Sequence, residues 1–186
     1  MKMPNTTFDH NSDFIDQLIK GAGRRRRVDQ GRYLFHQGDP VGALFIIAEG
    51  LVELTRYQRG GPSIILQRAA RRTVLAEASI YAEHYHCDGR AAAPSIVYEW
   101  PKAAFVKQLQ VDGALAGQWA AHLAHAVQAA RYRSEILARR TIAERLDGWL
   151  AWQGDALPAK GQWKSIAAEI GVSPEAFYRE LAKRRA

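Results

Sequence analysis

The spacing of apolar residues changes twice along this chain and divides it into three parts. Over residues 1–22, Phe14, Leu18 and Ile19 mark one face of a short helix, which Gly21, Ala22 and Gly23 close. Over 24–100 the apolar runs are short, at 33–35, 43–48, 51–54, 63–66, 73–75 and 95–100. Turn residues separate them: Gln30-Gly31, Gly38-Asp39-Pro40, Glu49-Gly50 and Gly60-Gly61-Pro62. Short strands at near-regular spacing predict a small antiparallel sandwich or barrel, and Pro101 breaks the last strand. From about Gly113 the pattern is helical. Ala116, Trp119, Leu123, Ala126, Ala130, Arg133 and Leu137 follow alternating steps of three and four, the seam of a coiled coil about three heptads long. A helix lying on its own domain fits the same steps. The length and the many small residues favour pairing with a second copy, through Ala116, Trp119, Leu123, Ala126, Ala130 and Leu137. Arg139-Arg140-Thr141 reads as a hinge. Thr141 then caps a helix over 142–153 whose apolar face is Ile142, Leu146, Trp149 and Leu150. Residues 154–161 read as a loop.

The last stretch, GQWKSIAAEIGVSPEAFYRELAKRRA, predicts two short helices around a tight turn. Ile166 and Ile170 lie four apart on the first, with Ala167 padding the same face. Gly171 takes the left-handed conformation a tight turn needs. Ser173 caps the second helix and Pro174 suits its first turn. Phe177 and Leu181 point back at the first helix, which leaves Glu175, Tyr178, Arg179 and Lys183 facing outward. An ordinary helical hairpin shares this pattern. The small–Gly–Val–Ser–Pro order favours a helix-turn-helix, whose second helix enters the major groove of double-stranded DNA.

Composition narrows the partners. The 186 residues, 47% of them hydrophobic, suffice for one large domain or two small ones. The formal charge is +7, which favours an anionic partner without choosing among nucleic acid, membrane and acidic ligand. Residues 131–186 hold 11 Lys/Arg against 7 Asp/Glu, so the basic bias is strongest at the proposed DNA-binding end. The single cysteine, Cys87, excludes an internal disulfide and a cysteine-only iron–sulfur cluster. No apolar run approaches the ~18 residues of a membrane span, and the polar, acidic N-terminus is unlike a signal peptide. These features predict a cytoplasmic protein with no membrane partner.

Three stretches in order resemble the Crp/Fnr family of bacterial transcription regulators. GRYLFHQGDPVGALFIIAEGLVELTR at 31–56 is similar to the opening of a cyclic-nucleotide-type β-roll. LAEASIYAEHYHCD at 75–88 stands where the family has its phosphate-binding cassette, and ILARRTIAERLDGWLAWQ at 136–153 resembles the hinge and first helix of the DNA-binding domain. The resemblance implies an α+β chain: an antiparallel β-roll effector domain with an N-terminal helix at 1–112, a dimerisation helix at 113–138, and an all-α helix-turn-helix domain at 139–186. It implies double-stranded DNA, a second copy of the chain, RNA polymerase and a small-molecule effector as partners.

The departures shape the expected function. The family's nucleotide binders read Gly-Glu and, about ten residues on, Arg-Ser or Arg-Thr. The glutamate meets the ribose 2′-hydroxyl and the arginine holds the cyclic phosphate. Here Ala76 replaces the glycine and Glu77 keeps the carboxylate, while Tyr85, His86, Cys87 and Asp88 occupy the arginine region. A half-buried phosphate needs a permanent cation, and Arg matches its geometry best. The effector domain is therefore not expected to respond to cyclic AMP. Its pocket would comprise Glu77, Ala78, Tyr85, His86, Cys87, Arg90 and, on the long helix, Gln128. Arg90 leaves open a true cyclic-nucleotide regulator. The family normally continues from the recognition helix into a two-stranded wing. The sequence ends at Ala186, so most of the wing is expected to be lacking. Pro174 stands where the family has a guanine-reading arginine. Glu175 and Arg179 match reading positions, for cytosine and guanine respectively. Ser173, Lys164 and the tail at 183–185 would contact phosphates.

Remaining features have plainer readings. The four arginines at 24–27 suggest a solvated strand, two facing water and two pairing with acids such as Asp29 or Glu53. Tyr81, Tyr85 and Trp100 read as core or pocket lining. His84, His86, Cys87, His122 and His125 invite a haem or metal near His86 and Cys87, but no tight ligand spacing supports one, so no cofactor or metal is assigned. No phosphate loop, His-Glu-x-x-His or nucleophile elbow occurs, which argues against an enzyme. The sequence thus predicts a homodimeric, sequence-specific DNA-binding regulator. The rival is a ligand- or metal-sensing protein that works through protein contact.

Overall fold

A computed structural model describes residues 7–57, 63–153, 161 and 163–184. The order is α1 (Thr7–Gly21), β1 (Arg24–Val28), β2 (Tyr33–Phe35), β3 (Ala43–Glu49), β4 (Val52–Tyr57), β5 (Ser63–Ala69), β6 (Thr73–Leu75), β7 (Asp88–Ala91), β8 (Ser95–Pro101), α2 (Lys102–Val111), α3 (Gly113–Ala138), α4 (Ile142–Gln153), α5 (Trp163–Glu169) and α6 (Pro174–Lys183). A 3-10 turn, Glu77–Ser79, lies between β6 and β7. The chain is α+β and divides into two compact units, 1–123 and 124–186.

The first unit is an antiparallel β-roll. One four-stranded sheet runs β1-β8-β3-β6 and the other β2-β7-β4-β5. Strand alternation assigns the side chains. Phe45 and Ile47 of β3 join Phe35, Val52, Leu54, Leu75, Ala91 and Val97 in the cluster between the sheets. Their neighbours Leu44 and Ile46 point the other way, into a second cluster with Phe14, Ile15 and Leu18 of α1, Trp100, and Phe105 of α2. Because β3 is buried on both faces, its sequence is continuously apolar instead of alternating. Gly50 makes the β3–β4 turn at φ 87°, and a Cβ there would collide with the Pro94 carbonyl.

The first turns of α3 lie on this second cluster through Leu115, Trp119 and Leu123. Trp119 is 3% exposed and packs edge-on to Phe105. The expectation that Trp119 faces a second copy is therefore corrected: its indole is part of its own unit's core. Leu123 is also partly buried there. Of the other seam positions, Ala126 is half-buried, and Ala130 and Leu137 are exposed.

In the second unit, Ile136, Leu146, Trp149, Trp163, Ile166, Ala167, Ile170, Phe177 and Leu181 form one buried cluster. Leu146, Trp149 and Leu150 of the expected face of 142–153 point into it, as do the expected faces of both terminal helices, whereas Ile142 is half-buried outside it. The predicted loop at 154–161 lies almost entirely outside the described residues.

Candidate nucleic-acid interface and effector pocket

The turn between α5 and α6 has the conformation its sequence dictates. Gly171 sits at φ 68°, and the Val172 amide donates to the Ala167 carbonyl at 2.9 Å. Ser173 has extended backbone, and its hydroxyl accepts the Ala176 amide at 3.2 Å. Phe177 and Leu181 are buried, whereas Ser173, Glu175, Tyr178, Arg179 and Lys183 of the second helix and Lys164 of the first are exposed. The Tyr178 ring rests 5.8 Å from that of Trp163, which fixes it beside Lys164 on the outer face. The Glu175 carboxyl is held below the usual range, chiefly by its own backbone amide and then by the Ser173 hydroxyl. Arg184 is not free for phosphate: it donates to Asp147 at 2.6 Å, Glu180 at 3.0 Å and the Ala143 carbonyl at 3.0 Å. It fastens the end of α6 to α4.

The segment expected as a hinge is bonded on both sides. Thr141 and Glu144 form a reciprocal cap. The Thr141 amide donates to the Glu144 carboxylate at 2.9 Å, and the Glu144 amide donates to the Thr141 hydroxyl at 3.2 Å. Arg145 donates through Nε to the Arg139 carbonyl at 2.9 Å, and through Nη1 to the carbonyls of Ile170 and Gly171, both at 3.2 Å. One side chain thus ties the end of α3 to the turn between α5 and α6.

In the first unit, Ala76 opens the 77–88 segment at φ 68°, the left-handed conformation that glycine adopts without strain. Glu77 follows in the 3-10 turn. Its Oε2 is buried with no hydrogen-bond partner among the described residues, and burial pushes its carboxyl upward. Ala78 is exposed. Tyr85 belongs to the roll's core: its ring stacks on Phe35 at 3.8 Å and its hydroxyl donates to the Ala43 carbonyl at 2.8 Å. Cys87 is 1% exposed, and burial pushes its thiol up to about 11. His86 faces solvent, with Nδ1 3.1 Å from the Ser79 hydroxyl. Burial first, and Arg56 second, lower its pKa.

Arg90 does not enter this pocket. It alternates with Gly89 and Ala91, which are buried, so it lies on the outer face of its sheet and donates to the Gly31 carbonyl at 3.3 Å. Gln128 is exposed on α3, within the second unit. Tyr81, expected in the core or pocket, is 69% exposed. Of the four arginines in β1, Arg26 pairs with Glu99 at 3.0 Å, not with Asp29 or Glu53, and Glu53 instead pairs with Arg68. Among the described residues no group of three or more His, Cys, Asp or Glu is placed to hold a metal. His122 stacks on Trp119 at 5.5 Å. Arg56, which the sequence does not single out, donates through Nε and Nη2 to the His86 carbonyl at 3.0 and 2.8 Å. Its signal was the alternation of Val52, Leu54 and Arg56 along β4.

Residues 25–112 match the family described as the cyclic nucleotide-binding domain. The anaerobic regulatory protein of Bacillus subtilis (strain 168) is 23% identical over 111 residues, which are 56% of this chain and 47% of that protein. The chain thus spans about half the length of that curated relative. FixK2 from Bradyrhizobium japonicum superposes with a TM-score of 0.73 at 16% identity, covering 86% of this chain and 83% of that one. CLP, the c-di-GMP responsive global regulator of Xanthomonas campestris, gives 0.68 at 16% identity, covering 94% and 91%. The first unit is a cyclic nucleotide-binding-type β-roll. With the long helix and the C-terminal helices, the chain shares the fold of FixK2 and CLP. No helix among the described residues is long and apolar enough to cross a membrane.

Proposed function

We propose that this chain is a sequence-specific DNA-binding transcription regulator of the cytoplasm, acting as a homodimer. Its effector roll, 1–112, does not answer to cyclic AMP. A dimerisation helix, 113–138, joins that roll to a DNA-binding domain, 139–186. The observation that carries the reading is the capped α5–turn–α6 hairpin with Glu175, Tyr178, Arg179, Lys183 and Lys164 all exposed. An ordinary hairpin also has a polar outer face, but this one sets three basic side chains, Lys164, Arg179 and Lys183, on it, which suits a polyanionic partner. Arg179, one turn after Glu175, is placed for a bidentate contact to guanine, while Lys164 and Lys183 suit phosphate. Ala130, Val127 and Leu137 leave apolar surface on α3 for a second copy. Two recognition helices then need to sit about 34 Å apart, one turn of DNA.

The test begins by selecting bound sequences from genomic fragments, with and without cyclic nucleotides. Fluorescence anisotropy then follows on the selected site and its single-base variants. Arg179→Ala should flatten the preference at one base pair per half-site, a loss of ~1–3 kcal/mol of discrimination. Lys183→Ala should weaken all sequences alike and make the salt slope shallower by about one unit. Wild-type affinity, selectivity and salt slope in both variants would move the reading to a regulator that acts by protein contact. Micromolar binding of cyclic AMP in calorimetry would contradict the effector half of the proposal.

A further inference from the structure

An open groove of about 700 Å³ runs along α2 where that helix meets the start of β3. Its volume lies within the range of about 300–1,000 Å³ usual for small-molecule sites. One wall is a helical face. Lys102, Ala103, Val106 and Lys107 recur at steps of three and four along α2, while Phe105 turns the other way, into the cluster with α1. The facing wall is Val41 and Gly42. A Cβ added at Gly42 would meet nothing within 4 Å, so the absent side chain leaves the groove open. The Lys102 amide donates to the Gly42 carbonyl at 2.8 Å and holds the two walls together. Among the described residues the lining has no aromatic ring and no acid. Nor does any acid among them form an ion pair with Lys102 or Lys107. The Lys102 ammonium donates to the Ala82 carbonyl at 2.5 Å, which leaves two of its three N–H groups for another acceptor. Lys107 is exposed.

We propose that this groove binds a small amphipathic anion, an alkyl chain that ends in a carboxylate. The aliphatic lining offers a planar ring nothing to stack on, so a flexible chain suits it better. Two lysines without acids at the rim select a negative head. No lining residue belongs to the 77–88 segment, yet Lys102 reaches that segment through the Ala82 carbonyl. At its other end α2 runs into Asp112, whose carboxylate accepts the Leu115 amide at 2.9 Å and caps α3. A carboxylate drawn to Lys102 therefore acts on the 77–88 segment and on the helix that leads into α3. That consequence rests on reading the roll as an effector domain. The binding itself does not, and its test uses no DNA, so it fails or stands apart from the DNA-binding proposal.

The full chain, labelled with 15N, is titrated with octanoate and separately with octan-1-ol and octylammonium, each below its micelle concentration, following the backbone amides by NMR. Octanoate should move the amides of Gly42, Ala103, Val106 and Lys107 together. Hexanoate should bind more weakly, by up to about fourfold for each methylene lost. Octan-1-ol should bind more weakly than octanoate, and octylammonium should leave these amides in place. Gly42→Phe fills the groove at a position free of backbone strain, and should abolish the shifts while the rest of the spectrum stays that of the wild type. Ala103→Leu narrows the groove from the exposed helix face, and serves if Gly42→Phe does not fold. Lys107→Gln should weaken octanoate by about two- to fivefold and leave octan-1-ol unchanged. The proposal is overturned if octanoate moves none of the four amides at millimolar concentration, if the shifts persist in the groove-filling variants, or if octan-1-ol binds as tightly as octanoate. A short peptide of Glu and Leu that moves the same amides at lower concentration than octanoate would also overturn it, in favour of a protein partner.

Discussion

Arg145 offers the sharpest test of how the C-terminal unit is held. Truncation to alanine removes the bond to the Arg139 carbonyl at 2.9 Å and the forked bond to the Ile170 and Gly171 carbonyls at 3.2 Å. A hydrogen bond from a charged donor contributes about 1.5–3 kcal/mol. The fork counts as one bond, and water recovers part of both because Arg145 is only half-buried. A net loss of about 2–3 kcal/mol follows. For a unit of this size, each kcal/mol moves the melting temperature by about 4–8 °C, so a drop of about 10 °C or more is expected. The loss should be local. Amide exchange at Gly171 and Val172, read by mass spectrometry, should quicken far more than exchange in β3 and β8. DNA affinity should fall with it, since the turn sets the angle of α6. The reasoning is refuted if Arg145→Ala melts within about 2 °C of wild type and protection at 171–172 is unchanged.

Three further outcomes are expected. Cys87, buried and with its thiol pushed up to about 11, should resist iodoacetamide at pH 8 in the folded chain and react promptly once unfolded; rapid alkylation of the native protein would contradict its placement. Burial raises the Glu77 carboxyl in the folded state, so the folded chain binds its proton more tightly and stability from this group falls as pH rises past the usual carboxylate range. Glu77→Gln should therefore be at least as stable as wild type at pH 7, with the difference closing under acid conditions; urea titrations at pH 7 and pH 4 that show the reverse order would refute this. Ala130→Asp, on the exposed side of α3, should convert dimers to monomers in sedimentation without lowering the melting temperature of the roll; an unchanged sedimentation coefficient in a dimeric wild type would place the interface elsewhere.

Much of this architecture is legible in the sequence where one local rule decides. The runs at 33–35 and 73–75 become β2 and β6 without change. The Thr141 cap and the Gly171-Val172-Ser173-Pro174 turn appear where the residue chemistry requires them. The expected strands at 51–54 and 63–66 stop short, because their distal halves hold polar residues such as Arg56 and Gln67 that only pairing between β4 and β5 makes into strand. The four arginines of β1 suggest a solvated strand, and its ladder with β8 adds Val28 and names its partner. β7, with Gly89 and Arg90 at its centre, is hidden in the sequence and appears only through its pairing. Trp119 fits a seam between copies and a core within one copy equally well; α1, which supplies Phe14 against it, decides between them. Around the 77–88 segment, the sequence shows that no arginine lies within it. It does not show that β4, some 30 residues earlier, brings Arg56 to the same place.

β1 lies at the end of its sheet, and no strand among the described residues pairs with its free edge. An exposed edge with unmet amides and carbonyls is a template on which another chain can add a strand. Arg24, Arg25 and Arg27, all exposed, crowd like charges along that edge, so a second copy approaching edge to edge meets its own repulsion. The arginines thus protect the protein from ordered aggregation whatever else they contact. Their neutralisation by threonine should leave the roll folded yet make it prone to growing fibrils or visible precipitate at high concentration, first in high salt, where the remaining charge is screened.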